Sequence, residues 1–392
     1  MRKIILSYLI MLMYIGVAIA QTTSPYAKSI SAGASHVALI KANGKLYTWG
    51  NNANGQLGIG STTGQTSAIQ VGTDSTWVKV AASDAHTVAI KNDGTLWAWG
   101  RNDYGQVGDG TTTQRTSPVQ IDTDTTWVEV YSCKGTFSYA KKSDGTLWSW
   151  GRNQRGQLGN GDTGGTTVLE PEQIGFDEDW LRISVGNDFV IAVKTDNSLY
   201  GWGLNVLYQL GLSYTTPNLS GPFDPVQIDS TFYNWQYPAA GANHTVAIKT
   251  DNTIWGWGNN NAGQTGNRNP GTGTTYAQKV PAAFDTLSTG GRYATSGTNF
   301  SVVLKTDSTL WSIGVNSQGQ LGLGYTSSSP NYIPILTKIG SATNWIYIAT
   351  GDSYTIGLQA DGKLYSWGVN TAGQLGLGNT TNQTSPQLIT TL

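Results

Sequence analysis

The chain has 392 residues, 38% of them hydrophobic and 12% charged, and 23 Lys and Arg balance 24 Asp and Glu to a formal net charge of −1. Such a length can bury a large core, but so even a charge with no basic run excludes the electrostatic footprint of a nucleic-acid binder and disfavours docking on an anionic membrane. A single cysteine, Cys133, excludes an intrachain disulfide and a thiolate metal cluster, so stability has to come from burial.

Residues 1 to 20 set Arg2 and Lys3 before an apolar run that ends on Ala18-Ile19-Ala20, the small-x-small pattern of a cleavage site. The expectation is a signal peptide over 1 to 20, cleavage after Ala20, and a secreted or periplasmic product with no membrane attachment. The alternative, an uncleaved anchor, has an apolar stretch just short of spanning length.

From residue 26 onward the chain repeats. Trp49, Trp99, Trp150, Trp202, Trp257, Ile313 and Trp367 each precede a glycine-rich stretch, first GNNANGQLGIG (50 to 60), then GRNDYGQVGDG (100 to 110), and last GVNTAGQLGLG (368 to 378). Within one unit, WVKVAA (77 to 82), HTVAIK (86 to 91) and TLWAWG (95 to 100) are short β-branched or aromatic runs that predict strands. Asn92-Asp93-Gly94 predicts a type I′ hairpin turn between the second and third. SPVQID (117 to 122) predicts a Pro-headed fourth strand, where the missing N–H is tolerated at a sheet edge. No segment of 21 to 392 shows 3.6-residue amphipathic periodicity, so helices should be scarce.

Seven such units in one domain, 21 to 392, predict an all-β, seven-bladed propeller of four-stranded antiparallel blades. The segment YAKSISAG (26 to 33) matches a first strand and SPQLITTL (385 to 392) a last one. The expected closure is therefore a clasp, in which the N- and C-terminal segments pair within one shared blade.

The unit resembles the regulator of chromosome condensation repeat. The resemblance rests on Gly241-x-x-His244-Thr245, an Asp-Gly turn, Leu96-Trp97-Ala98-Trp99-Gly100, and Asn52-x-x-Gly55-Gln56-Leu57-Gly58, and it covers residues 26 to 391. It implies a seven-bladed propeller, here an exported bacterial-type member. Departures are Tyr208 at the first loop glycine, Ile313 at the Trp position, and a unit around 285 to 300 with no first-strand Trp.

Repetition separates what every blade needs from what one place needs. All 15 tryptophans fall into three recurring registers, which reads as blade packing rather than a ligand cage. His36, His86 and His244 share a register with Phe137, Phe189, Phe300 and Tyr354, so the position asks for a flat ring, not a base or a zinc ligand. The glycine-rich stretch lacks the Lys-Ser/Thr and following helix of a phosphate loop and reads as a tight corner, with Asn102 and Gln106 satisfying backbone groups. Asp122-Thr-Asp124 lacks the glycine and distal Glu of a calcium loop. No catalytic residue, cofactor or metal is expected.

Function should then live in the variable slots of the corners. Arg101, Tyr104, Arg152 and Arg155 cluster on the second and third units and are of the types that anchor protein interfaces. The irregular loop 212 to 233 adds Tyr214, Phe223 and Tyr233 as further candidates. The expectation is a monomeric, non-enzymatic binding or scaffold propeller with a protein partner, in the manner of a secreted inhibitor of similar fold. A carbohydrate-binding or carbohydrate-acting propeller is the alternative, for which two facing carboxylates in a pocket would be the mark. Guanine-nucleotide exchange, which the resemblance also offers, fits poorly with a signal peptide.

Overall fold

The computed structural model describes residues 27 to 212, 221 to 228, 234 to 266, 278 to 283 as backbone, and 289 to 392. The expected signal peptide lies outside the described residues. Among the described residues twenty-eight strands form seven four-stranded antiparallel sheets, each built from consecutive strands in sequence order. Blades 1 to 7 span 27 to 70, 77 to 120, 127 to 173, 180 to 227, 235 to 283, 291 to 338 and 345 to 388. No helix among the described residues is long and apolar enough to cross a membrane.

The strand pattern follows from position in the wedge. Second strands such as His86–Lys91 and Phe189–Lys194 lie mid-blade between two neighbouring blades and are buried almost throughout, hence their near-continuous apolar sequence. Outer strands such as Gln65–Gln70 and Gln383–Leu388 are half-exposed and correspondingly polar. Between blades sit the large rings. Trp49, Trp99, Trp150, Trp202, Trp257 and Trp367 are fully buried. The strand-start rings Trp77, Trp180, Trp235 and Trp345 meet them edge to face with centroids 5.6 to 6.1 Å apart, each pair adding about 0.5–1.5 kcal/mol beyond its buried area.

The third tryptophan register differs from the first two. Trp97, Trp148, Trp255 and Trp311 are only half-buried, and a lysine ammonium lies over each ring at 3.8 to 4.8 Å. Those lysines, Lys91, Lys142, Lys249 and Lys305, end the second strands. Their stems cover ring surface that a propeller's outer rim cannot bury.

The Asp-Gly hairpin is where the sequence places it but not of the expected type. Gly94 takes φ +80°, while Asp93 is not left-handed, so the turn has one left-handed residue rather than the two of type I′. Gly94 N–H bonds Lys91 O at 3.0 Å, and the Asp93 carboxylate accepts from Thr95 N–H at 3.0 Å. Blades 4, 5 and 6 place Asn197, Asn252 and Ser308 at the same left-handed position.

The expected clasp is corrected. Among the described residues the N-terminal strand Ala27–Ala32 pairs with His36–Lys41 and the C-terminal strand Gln383–Leu388 with Leu364–Gly368, so neither of these strands completes the other's blade. The physical reason is phase: every unit carries all four strand signals, leaving no strand to share. Blades 7 and 1 meet instead by side-chain packing and by bonds such as Tyr354 Oη–H to His36 O at 2.7 Å and Gly378 N–H to Thr66 O at 2.9 Å.

Candidate functional site

The glycine-rich corner builds one face of the propeller. In all seven corners the buried Asn accepts from a backbone N–H five residues on, as Asn102 Oδ1 does from Val107 at 2.9 Å. The Gln accepts from one two residues back, as Gln106 Oε1 does from Tyr104 at 2.9 Å. Rigid corners of this kind leave the intervening residues free to differ. Arg101 N–H bonds Ala85 O at 2.9 Å and Arg152 N–H bonds Thr136 O at 3.1 Å. That contact sets the residue after each Trp-Gly beside the turn joining inner and second strands.

The expected arginines and tyrosine form a network there. Arg101 holds Asp103 in a two-pronged ion pair, Nε to Oδ1 and Nη2 to Oδ2 both at 2.7 Å, and lies 3.8 Å from Asp84. Arg152 donates to Gln154 Oε1 at 2.7 Å, lies 3.6 Å from Asp188 of blade 4, and stands over the Tyr104 ring at 5.7 Å. Arg155 is next to them: its carbonyl accepts Gly221 N–H at 3.2 Å, and Phe223 packs half-buried against Gly156. Arg101, Tyr104, Arg152, Arg155 and Phe223 thus share one face over blades 2 to 4. Tyr214 and Tyr233 lie outside the described residues.

Sequence reasoning missed Asp84 and Asp188, the acids under this network. Burial pushes both carboxyls up, and Asp352 raises Asp84 further, while Arg101 counters at Asp84 and Arg152 and Arg155 counter at Asp188. For Asp103 burial acts upward too, but the Arg101 hydrogen bond and charge outweigh it and hold the carboxyl low. The signal was present in the positions just before the recurrent ring, where most blades carry Ala, Ser, Thr or Asn and these carry Asp.

The remaining sequence candidates have local roles. His36, His86 and His244 are fully buried and reach Thr87, Ser138 and Ser301 of the following blade at 3.0, 2.7 and 2.9 Å. Asp124 binds Lys142 at 2.7 Å and Thr126 N–H at 2.8 Å, which fixes the entry to blade 3. Among the described residues no group of three or more His, Cys, Asp or Glu is placed to hold a metal. Glu129, the carboxylate among the residues lining the central channel, is engaged by Lys79 at 2.8 Å.

The Regulator of chromosome condensation (RCC1) repeat pattern matches residues 43–90, 93–140, 144–193, 196–248, 307–358 and 361–392. Each of the first five matched repeats begins near the third strand of one blade and runs into the second strand of the next, the sixth covers the third and fourth strands of blade 7, and the gap from 249 to 306 contains the irregular unit. The chain is 28% identical over 369 residues to the ultraviolet-B receptor UVR8 of Arabidopsis thaliana, covering 93% of this chain and 81% of that one. It is 28% identical over 268 residues to the mitochondrial RCC1 domain-containing protein RUG3 of the same plant, covering 67% of this chain and 58% of the relative. The solved structure of Prp20p from Saccharomyces cerevisiae superposes with a TM-score of 0.76 at 20% identity, covering 94% of this chain and 87% of that one, a likeness of fold. Repeat pattern, blade count and the Trp-Gly corners agree, and the protein belongs to the RCC1 repeat family.

Proposed function

We propose that this propeller is an exported, non-catalytic protein-binding or scaffold module that grips its partner through the face formed by the corners of blades 2 to 4. The observation that carries the reading is the Arg101–Asp103–Asp84 and Tyr104–Arg152–Asp188 network. Arg and Tyr are the side chains that anchor interfaces, and here acids beneath them hold them in place before any partner arrives, which lowers the entropy cost of docking. Prp20p is described with binding to Gsp1p and histones, which supports a protein partner for a propeller of this kind.

The test uses the chain lacking residues 1 to 20 as bait against the secreted and surface proteins of its source, with captured partners re-measured one by one by surface plasmon resonance. Changing Arg101, Tyr104, Arg152 and Arg155 together to Ala should weaken a true partner at least tenfold. Undiminished binding would move the interface elsewhere, and hydrolysis of a glycan panel would restore the carbohydrate reading. N-terminal sequencing of the exported protein should begin at Gln21.

A further inference from the structure

Charge is missing from one side of the ring. Residues 46 to 73, 310 to 337 and 364 to 392, which run from the third strand through the corner and along the fourth strand of blades 1, 6 and 7, contain no charged side chain. The same stretch of blade 2 holds Arg101, Asp103, Asp109 and Arg115. Charged residues make up about a quarter of an ordinary protein, so three neighbouring water-facing units without one are a marked departure. Apolar surface collects in the same sector: of the seven large apolar side chains exposed among the described residues, Ile69, Tyr325, Ile335, Leu388 and Leu392 lie there. Between them stand exposed amides and hydroxyls, those of Gln318, Asn331, Asn379, Thr381, Thr62 and Thr63.

The three corners form one rigid strip. Gly324 N–H bonds Thr384 O at 2.8 Å and the Asn382 amide donates to Gln318 Oε1 at 2.9 Å, joining blade 6 to blade 7, and Gly378 N–H to Thr66 O at 2.9 Å joins blade 7 to blade 1. Within each blade the buried Asn pins the loop that follows the glycine stretch. Asn316 Nδ2 donates to Tyr325 O at 2.9 Å, Asn370 Nδ2 to Thr381 O at 3.1 Å, and Asn52 Nδ2 to Thr63 O at 3.0 Å. Loops held in this way lose little freedom when a ligand settles on them. The corners are also near copies, GVNSQGQLGLG, GVNTAGQLGLG and GNNANGQLGIG, so the strip offers a similar set of uncharged groups three times in a row.

We propose that this strip binds a neutral polysaccharide laid across blades 6, 7 and 1, with Tyr325 against the apolar face of a sugar ring. Sugar hydroxyls both donate and accept, and so do the amides and hydroxyls of Asn, Gln, Ser and Thr, whereas a carboxylate only accepts and an ammonium only donates. A polymer of like units matches a surface of like units. A charged polymer would find no counter-charge on the strip, and a protein interface is depleted in serine and enriched in arginine, the reverse of this composition. The strip lies apart from the network of blades 2 to 4, so the inference does not rest on the protein-binding reading.

Native gels cast with dextran, hydroxyethylcellulose or galactomannan, each run beside its carboxymethylated form, test the chain lacking residues 1 to 20. At least one neutral polymer should retard the protein, and its carboxymethylated form should retard it less. Tyr325→Ala should weaken that polymer about tenfold with unchanged thermal unfolding. Phe176→Ala, which removes an equally accessible ring between blades 3 and 4, should run as the parent does, and so should the fourfold Ala variant of Arg101, Tyr104, Arg152 and Arg155. No retardation by any of the three polymers, equal retardation by the charged form, or full retardation of folded Tyr325→Ala protein would each overturn the proposal. A dimer in sedimentation equilibrium that Ile335→Lys dissolves would also overturn it, by assigning the strip to a second copy of the chain.

Discussion

Trp49 of blade 1 donates its indole N–H to the backbone carbonyl of Gln374 in blade 7 at 3.0 Å, across 325 residues of sequence. The same seam joins Trp99 to Gln56, Trp150 to Gln106 and Trp257 to Gln209 at 2.9 to 3.0 Å. Closure is therefore one more copy of an ordinary blade junction. Gly376 lies against the same ring: an added Cβ would stand 2.8 Å from Trp49 Nε1, at φ +69°. Gly378 is the control, with φ +77° and Ser67 Oγ nearest at 3.6 Å. Each alanine would bear a left-handed cost of about 1–2 kcal/mol, but only Gly376→Ala also displaces the ring, adding about 1–3 kcal/mol of overpacking. Urea unfolding of the two variants should show that gap, and equal losses would mean that the seam yields without cost.

The three histidines make stability depend on pH. Thr87 and Ser138 donate their hydroxyl hydrogens to the carbonyls of Gln56 and Gln106 at 2.8 Å, so His36 and His86 must donate from Nε2. Their Nδ1 atoms, and that of His244, are buried with no hydrogen-bond partner among the described residues, and burial drops all three rings from an ordinary 6.5 to about 3. A folded value below the unfolded one means that the stability contributed is complete above pH 6.5 and is lost progressively as pH falls toward 3. Replacing all three by Phe, the residue of blades 3, 4 and 6, should cost about 1 kcal/mol per lost hydrogen bond at pH 7. It should also flatten the melting temperature between pH 6.5 and 3, and a profile as steep as the parent's would refute the assignment.

Lys91 offers a test of the half-exposed tryptophan register. Its ammonium lies 3.9 Å from the Trp97 ring and 4.9 Å from Trp77, and pairs with Asp74 at 2.6 Å. Burial pushes the Asp74 carboxyl up, but the hydrogen bonds from Lys91 and Thr76 prevail and hold it at about 2. Blade 7 places Gln359 in this register. Lys91→Gln should therefore fold, lose about 1–2 kcal/mol of cation–π and ion-pair stabilisation, and let Asp74 rise toward its ordinary 3.8. The rise is readable by carboxyl-carbon NMR titration. An unmoved Asp74 would show that Thr76 alone holds it down.

The fold was legible because each unit repeats a complete set of strand signals, so a single alignment of the chain with itself places every blade. The clasp was not, because matching YAKSISAG to a first strand and SPQLITTL to a last one leaves open whether the two share a blade or bound separate ones. The corner glycines were read as backbone hinges, but their second role was hidden: Gly58, Gly108 and Gly159 each seat the tryptophan of the next blade, a contact made between units rather than within one. Arg101 and Arg152 could be placed on one face from the corner register alone. Their acids could not, since Asp188 reaches Arg152 from the following blade.

The hairpin between second and third strands supplies a stabilising substitution. Gly44, Gly94, Gly145 and Gly362 take φ of +80° to +92° there, and blade 6 sets Ser308 at φ +59° instead. Ser308 keeps the turn bonds that the glycines make: its N–H reaches Lys305 O at 3.0 Å, and its carbonyl accepts Trp345 N–H at 3.1 Å. A non-glycine residue in the left-handed region costs about 1–2 kcal/mol, whereas glycine adds about 0.5–1 kcal/mol of unfolded-state entropy. Ser308→Gly should therefore raise stability by up to about 1 kcal/mol. The reverse exchange, Gly94→Ser, should cost more than the conformational term, because a Cβ at Gly94 collides with the Thr125 carbonyl. Paired urea curves decide the point: a Ser308→Gly midpoint below the parent's would mean that the serine side chain earns its place in that turn.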